Sequence, residues 1–121
     1  MVAKSNTRRS DCAVAGALDI LGDRWSLLLV RDLLLGGELR NAELADSAEA
    51  IPTNTLADRL RRLAEAGIIE RVPYNERPLR YSYRLTERGR QLGPVVDALA
   101  DWGARNLPGT RRLGTDRPSP S

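Results

Sequence analysis

The stretch from Ile51 to Gly67 holds the residues whose types and spacing are richest in chemistry. It combines hydroxyl, amide and charged side chains, namely Thr53, Asn54, Thr55, Asp58, Arg59, Arg61 and Arg62. Asparagine can form two hydrogen bonds to adenine, and arginine can form two to guanine or to a phosphate. The chemistry that these residues predict is the reading of base edges and the binding of DNA phosphates. An ordinary amphipathic surface helix is the alternative, and this stretch alone does not decide between the two.

A helix is the element that would present these side chains. Leu56, Leu60 and Leu63 recur at i, i+4 and i+7, which predicts one buried stripe. Pro52 suits the start of a helix, and Gly67 suits the left-handed residue that ends one. The opposite face is polar and consists of Asn54, Asp58, Arg61 and Glu65. The pattern therefore predicts a helix anchored by leucines that leaves a polar face free for a partner.

The distribution of charge favours a polyanionic partner for the same region. The chain of 121 residues has a net charge of only +3. Residues 11–51 hold three arginines against eight acids, whereas residues 52–92 hold nine arginines against five acids. A GC-rich coding bias would explain why Lys4 is the only lysine, but it would not explain this clustering. We infer that DNA would be drawn to the second half of the chain.

Three helices are predicted before the Ile51–Gly67 stretch. The apolar spacing indicates one over Cys12–Leu21, ended by Gly22-Asp23, and a second from near Arg24 to Gly36-Gly37. The second is apolar on nearly all sides, which is typical of a central core helix. A short third helix fits Asn41–Asp46, and residues 47–51 would connect it to the helix of the Ile51–Gly67 stretch, which we call the basic helix. Two short helices joined by a turn in this way form a helix-turn-helix.

The residues after Gly67 change to strand periodicity. Ile68–Val72 and Arg80–Leu85 alternate and are rich in β-branched or aromatic residues, with a turn-rich loop over Pro73–Leu79 between them. A helix-turn-helix followed by a hairpin predicts a winged helix. Arg77 and Arg80 would then lie beside the basic helix and contact the DNA backbone or minor groove. The alternative is that they only protect a hairpin edge from pairing with another strand.

The two ends of the domain predict a dimer. A second apolar seam begins after the Thr86 cap, and Pro94 either kinks its helix or starts a new one. We expect this C-terminal seam and the first helix to form the dimer interface together. The interface residues would be Val14, Leu18, Val95, Val96, Leu99 and Trp102. The alternative is that these side chains close the core of one protomer. We expect residues 1–11 to be a basic flexible arm, 12–107 the folded domain and 108–121 a disordered tail.

The composition argues against several other classes of protein. Histidine is absent and the acids form no paired motif, so we expect no catalytic residues, no metal site, no cofactor and no enzyme activity. Cys12 is the only cysteine, which leaves no internal disulfide. No apolar run approaches the ~18 residues that span a bilayer. A cytoplasmic protein without a membrane partner is the expectation.

Five motifs in order resemble the HxlR-type transcriptional regulators. They are Cys12-Ala-Val, the Leu18–Gly36 block containing Gly22-Asp-Arg-Trp, Leu56-Ala-Asp-Arg-Leu-Arg-Arg-Leu-Ala-Glu-Ala-Gly67, Arg80-Tyr-Ser-Tyr-Arg-Leu-Thr-Glu-Arg-Gly89 and Leu99-Ala-Asp-Trp-Gly103. The resemblance covers about residues 12–107. It implies a mainly α fold with a small β-hairpin, in other words a winged helix-turn-helix with N- and C-terminal dimerisation helices. It also implies a homodimer that binds double-stranded DNA at a palindromic operator, as a repressor or an activator.

The resemblance further implies a thiol sensor at Cys12, oxidised to an intersubunit or mixed disulfide. A helix N-terminus and Arg8 or Arg9 would activate the thiolate. The alternative is a small buried residue packing under the dimer. Two departures from the family pattern are Ala13 after the cysteine and Pro52-Thr53, where Thr53 or Asn54 would have to replace the lost cap. Two rival functions stay open: a regulator with a small-molecule effector pocket at the dimer interface, and a protein-interaction module without DNA binding.

Overall fold

The computed structural model describes residues 10–47 and 49–112, and these form six helices and three strands. In chain order they are α1 (Ala13–Leu21), α2 (Ser26–Gly36), β1 (Glu38–Arg40), α3 (Asn41–Ala45), α4 (Thr53–Glu65), β2 (Ile69–Glu76), β3 (Leu79–Leu85), α5 (Glu87–Arg90) and α6 (Gly93–Asn106). The architecture is a winged helix, mostly helical with one small antiparallel sheet, which confirms the predicted fold class. Most of the expected N-terminal arm, with Arg8 and Arg9, and residues 113–121 of the expected tail lie outside the described residues.

The core forms around α2, as its apolar composition predicts. Leu29, Val30 and Leu33 of this helix are at most 2% exposed. They pack with leucines of α3 and α4 and with residues at the ends of the sheet, namely Leu44, Leu56, Leu60, Leu63, Ile68, Ile69 and Leu85. Burying each large aliphatic side chain contributes about 1.5–3 kcal/mol. The basic helix α4 is therefore held by the same core as the rest of the domain.

One carboxylate, Asp23, both starts α2 and holds α4. Its Oδ2 accepts hydrogen bonds from the backbone N–H groups of Trp25 at 2.9 Å and Ser26 at 3.0 Å. Arg59 of α4 donates from Nε to the same oxygen at 2.8 Å. The helix therefore begins at Ser26, two residues later than predicted, because Asp23 satisfies the first free N–H groups.

A second ion pair fixes the turn of the helix-turn-helix. Arg31 of α2 donates from Nη1 and Nη2 to the two carboxylate oxygens of Glu49, at 2.9 and 2.8 Å. This hydrogen bonding lowers the pKa of Glu49 and raises that of Arg31. Glu49 lies in the connection between α3 and α4, next to Ala50 with its positive φ of 55°. The bidentate pair thus holds a backbone conformation that alanine rarely adopts.

The sheet has three strands, one more than predicted, in the order β1-β3-β2. The additional strand, β1, pairs antiparallel with β3, with Leu39 opposite Tyr83. Three residues between Gly37 and Asn41 are too few to show a period of two, so only the tertiary pairing reveals this strand. It connects α2 to the wing formed by β2 and β3.

The wing is longer than predicted. Strand β2 continues through Pro73 to Glu76 and β3 begins at Leu79, so the predicted loop over residues 73–79 is wrong. Only Arg77-Pro78, joined by a cis peptide bond, connects the strands. Proline is tolerated because β2 is an edge strand, where a missing N–H donor breaks no ladder bond. The pairing shifts between Pro73 and Asn75.

The C-terminal helices agree with their predicted start signals. Thr86 Oγ1 accepts a hydrogen bond from Gly89 N at 3.1 Å and so caps α5. Pro94 lies in the first turn of α6 and begins a new helix, so the kink left open as an alternative does not occur. Residues 108–112, the first part of the predicted tail, return along α6, where Arg112 Nη1 donates to Asp97 O at 3.1 Å.

Asp23 should make folding stability depend on pH. Partial burial raises the pKa of Asp23, but hydrogen bonds from Ser26, Arg59 and two backbone N–H groups outweigh burial and lower it from 3.8 to about 2. The folded state therefore binds this proton less readily than the unfolded chain. Its stabilisation, about 2 kcal/mol, is present above pH 3.8 and lost as the pH falls toward 2.

We predict that Asp23→Asn lowers the free energy of unfolding by about 2 kcal/mol at pH 7, measured by urea denaturation. The difference from the wild type should stay constant from pH 7 to 5 and narrow below pH 4. Asp19→Asn is the matched control, because Asp19 is exposed on α1 and its loss should cost little. A difference for Asp23→Asn that is independent of pH would contradict the assignment.

Candidate nucleic-acid interface

Helix α4 has the two unlike faces that its sequence predicts. Leu56, Leu60 and Leu63 are at most 3% exposed, which confirms the predicted buried stripe. The side chains predicted to contact DNA divide between open and partly covered positions. Thr53, Asn54, Arg61 and Arg62 are exposed, whereas Thr55, Asp58 and Arg59 are half-buried. The open positions form a polar surface at the N-terminal and outer side of a firmly packed helix.

The first turn of α4 lacks the side-chain cap that the sequence analysis assigned to Thr53 or Asn54. Pro52 occupies the cap position, and no side chain accepts a hydrogen bond from the described first turn. The expectation was wrong because Thr53 and Asn54 already have helical backbone conformation, so they follow the cap instead of forming it. Their polar groups therefore remain available at the exposed end of the helix.

Arg59 has a different environment from that expected of a phosphate ligand. Its side chain is 20% exposed, and its Nε donates to Asp23 Oδ2 at 2.8 Å. The hydrogen bond to Asp23 raises the pKa of Arg59. A second contact joins its Nη1 to Asp58. Arg59 thus fastens α4 to the start of α2, a role that the sequence does not reveal because the partners are 36 residues apart.

The outer arginines of α4 share acidic partners. Arg61 Nη2 donates to Asp58 Oδ1 at 2.6 Å, and its Nη1 lies 3.2 Å from Glu65 Oε2. Arg62 Nη1 lies 3.9 Å from Asp58 Oδ2. The hydrogen bond from Arg61 lowers the pKa of Asp58. The exposed guanidinium groups of Arg61 and Arg62 are therefore positioned relative to each other by the carboxylate of Asp58, which both contact.

The wing carries exposed arginines, and the sheet holds two arginine–tyrosine contacts that the sequence did not predict. Arg77 and Arg80 are exposed at the tip, where β2 turns into β3. The Arg71 guanidinium lies 4.2 Å from the Tyr81 ring centroid, and Arg40 stands at the same distance over Tyr74. Such contacts hold arginines in place while leaving them exposed. They could not be found beforehand because they depend on cross-strand register.

The predicted dimer residues mostly lie open on one protomer. Five of them are exposed: Val14 67%, Leu18 56%, Val95 43%, Leu99 53% and Trp102 59%. The sixth, Val96, is half-buried and packs against its own core, so it is less available to a partner. Leu107, which is not among the six predicted residues, is 48% exposed just after α6. Apolar side chains of this size in such number are unusual on the surface of a monomer.

Cys12 lies at the N-terminus of α1 and is exposed. Its backbone N–H donates to Ser10 Oγ at 3.2 Å, and its carbonyl accepts from Gly16 N at 3.0 Å. Within one protomer the thiol is thus accessible to solvent. Arg8 and Arg9, which the sequence analysis named as activating groups, lie outside the described residues.

Two further findings concern only the part of the chain that the structure describes. No helix there is long and apolar enough to cross a membrane. No group of three or more cysteine, aspartate or glutamate side chains there is placed to hold a metal ion.

Comparison with known proteins assigns the fold to a family. The model of the HxlR-like helix-turn-helix family matches residues 20–111. An uncharacterised HTH-type transcriptional regulator of Mycobacterium tuberculosis is 44% identical over 96 residues, 79% of this chain and 60% of its own length. The chain thus spans less than two thirds of that relative.

Solved structures of regulators have the same fold. The redox regulator HypR in its oxidised form superposes with a TM-score of 0.72 at 34% identity, covering 78% of this chain and 97% of that one. The reduced form of the transcriptional regulator YodB from Bacillus subtilis gives 0.67 at 29% identity, covering 84% and 99%. The protein described here belongs to the HxlR-like helix-turn-helix family of transcriptional regulators.

Proposed function

We propose that this protein is a homodimeric regulator that binds a palindromic DNA operator through α4 and the wing. The observation that carries the proposal is the surface of α4, which is polar and exposed outside and anchored inside by three leucines. A helix held in this way enters a major groove without having to be ordered first. Occupying an operator most simply represses transcription, and we infer a repressor.

The proposed contacts divide into base reading and phosphate binding. Thr53, Asn54, Thr55 and Arg61 would read bases from the first half and the outer face of α4. Arg62, Arg77 and Arg80 would bind phosphates and supply affinity that falls with salt. The ion pair with Asp23 makes Arg59 a residue that positions α4 instead of a phosphate ligand.

The exposed apolar side chains of α1 and α6 support the dimer. Val14, Leu18, Val95, Leu99 and Trp102 would form an interface shared by two copies, with Val96 behind it. Burial of this surface against a second copy would remove the cost of exposing it to water. A two-fold dimer would present two α4 helices to half-sites about 34–36 Å apart, which is one helical turn.

Exposure of Cys12 supports a thiol switch in this regulator. Diamide would take two electrons and two protons from two thiols, either two Cys12 thiols of the dimer or one Cys12 thiol and a small thiol, and leave a disulfide. The redox regulator HypR, whose oxidised form has a similar fold, supports this chemistry. The rival is an effector that binds at the dimer interface without reacting.

We predict that Arg61→Ala weakens binding to the selected operator by about 1–3 kcal/mol and relaxes the preference at one base pair. The operator is first selected from a random duplex library with the wild-type protein, and binding is then measured for single-base variants. Arg90→Ala is the control, since it also removes one exposed arginine from an i,i+3 ion pair but lies on α5. Equal weakening on every sequence would make Arg61 a phosphate contact only. If the wild-type protein binds no duplex even at low salt, the protein-interaction rival is favoured.

We predict that Leu99→Asp produces folded monomers with at least about tenfold weaker operator binding, because a buried carboxylate opposes association. Sedimentation and circular dichroism report mass and fold. Ala104→Asp adds the same charge about 140° around the helix from Leu99 and should leave the dimer intact. A wild-type protein that is monomeric when bound to DNA would overturn the proposed interface.

We predict that diamide releases the wild-type protein from its operator and that Cys12→Ser abolishes this response. Without diamide the variant should bind the operator as tightly as the wild type. Release that is the same for both proteins would exclude Cys12 as the sensor and favour the effector rival.

A further inference from the structure

Asp58 occupies an unusual place for an acidic residue on a helix that faces DNA. Its Oδ1 accepts from Arg61, and its Oδ2 accepts from Arg59 and lies 3.9 Å from Arg62. Both oxygens are therefore engaged by arginines of the same helix. An aspartate that reads cytosine must direct a lone pair at the amino group of the base. The hydrogen bonds from Arg59 and Arg61 use part of the acceptor capacity of Asp58 and hold its carboxylate toward its own helix, which makes direct reading by Asp58 the less favourable role.

The contacts of Arg61 suggest what Asp58 does instead. Arg61 is held from both sides along the helix, by Asp58 at 2.6 Å through Nη2 and by Glu65 at 3.2 Å through Nη1. Each Nη carries two N–H groups, so one N–H on each nitrogen can remain for another acceptor. Two parallel N–H groups are what the O6 and N7 atoms of guanine accept. The side chain is 59% exposed despite these contacts, so it can still reach a base.

The same carboxylates set the charge that α4 presents to any DNA. The helix holds three arginines and two acids, and Asp23 neutralises part of the charge of Arg59. The wing, by comparison, holds four arginines and two acids between Ile69 and Leu85. Affinity for the uniform phosphate backbone would therefore come mainly from the wing. Asp58 would repel phosphates from α4 wherever no matching base compensates.

We propose that Asp58 is a specificity-determining residue, which positions Arg61 for guanine and disfavours DNA that lacks this base. The inference rests on the proposed function, because it assumes that α4 lies in the major groove. In this proposal Asp58 touches no base itself: it positions Arg61, and its charge repels the phosphates of DNA that lacks the matching base. Removing its charge should make binding stronger on average and less selective.

The test compares Asp58→Asn with the wild type on two duplexes, the selected operator and a scrambled duplex of equal length. We expect Asp58→Asn to bind the scrambled duplex more tightly and to lower the ratio of the two affinities by at least about fivefold. Glu87→Gln is the matched control. This substitution also removes one acid from an i,i+3 ion pair, here with Arg90 at 3.0 Å. Glu87 follows Thr86, whose Oγ1 donates to Gly67 O just after the C-terminal end of α4, so the control lies away from the N-terminal half of that helix. This control should leave the ratio unchanged.

A double-mutant cycle separates positioning from a general effect on the helix. In an Arg61→Ala background, Asp58→Asn should no longer change the base preference at the position that Arg61 reads. Three results would each overturn the inference: an unchanged affinity ratio for Asp58→Asn, an equal loss of affinity on both duplexes, or the same change in base preference at that position when Arg61 is absent. Failure of the wild-type protein to select any sequence would instead contradict the proposed function, so the two failures are distinguishable.

Discussion

The carboxylate of Asp23 is the polar group that joins the core helix α2 to α4. It satisfies the first N–H groups of the central helix α2 and accepts the Arg59 guanidinium of α4. The orientation of α4 is thereby fixed relative to the start of the core helix. A partly buried carboxylate is stabilising only when it accepts hydrogen bonds, and both oxygens of Asp23 accept them.

The arginines of α4 are largely neutralised by nearby acidic side chains. The sequence suggests a strongly basic recognition helix, but each arginine of α4 has an acidic neighbour within 4 Å. The helix thus offers directed hydrogen-bond donors with little net charge, whereas the wing offers exposed arginines. Affinity and selectivity would then come from different elements of the same domain. Such a division suits a regulator that must distinguish one site from a large excess of other DNA.

Much of the fold could be predicted from the sequence because it follows from local patterns. The leucine stripe of α4, the apolar composition of α2 and the Thr86 cap each act within a few residues. Strand β1 and the full length of β2 could not be predicted, since they depend on pairing with β3. The role of Arg59 was missed for the same reason, because Asp23 is distant in sequence. In the candidate site, the residue types predicted the polar surface of α4. Which of its arginines are exposed depends on ion pairs in the folded chain, and these could not be predicted from the sequence.

The central claim is that α4 lies in the major groove of the operator, and a tethered cleavage reagent tests it most directly. Cys12 is the only cysteine, so a Cys12→Ser protein carrying Ala57→Cys can be labelled at one exposed position of α4 with iron–EDTA. A second protein carries the label at Glu87→Cys on α5. We expect cleavage by the α4 label inside both half-sites, about one helical turn apart, and little cleavage by the α5 label. Equal cleavage by both labels, or cleavage only outside the half-sites, would contradict it.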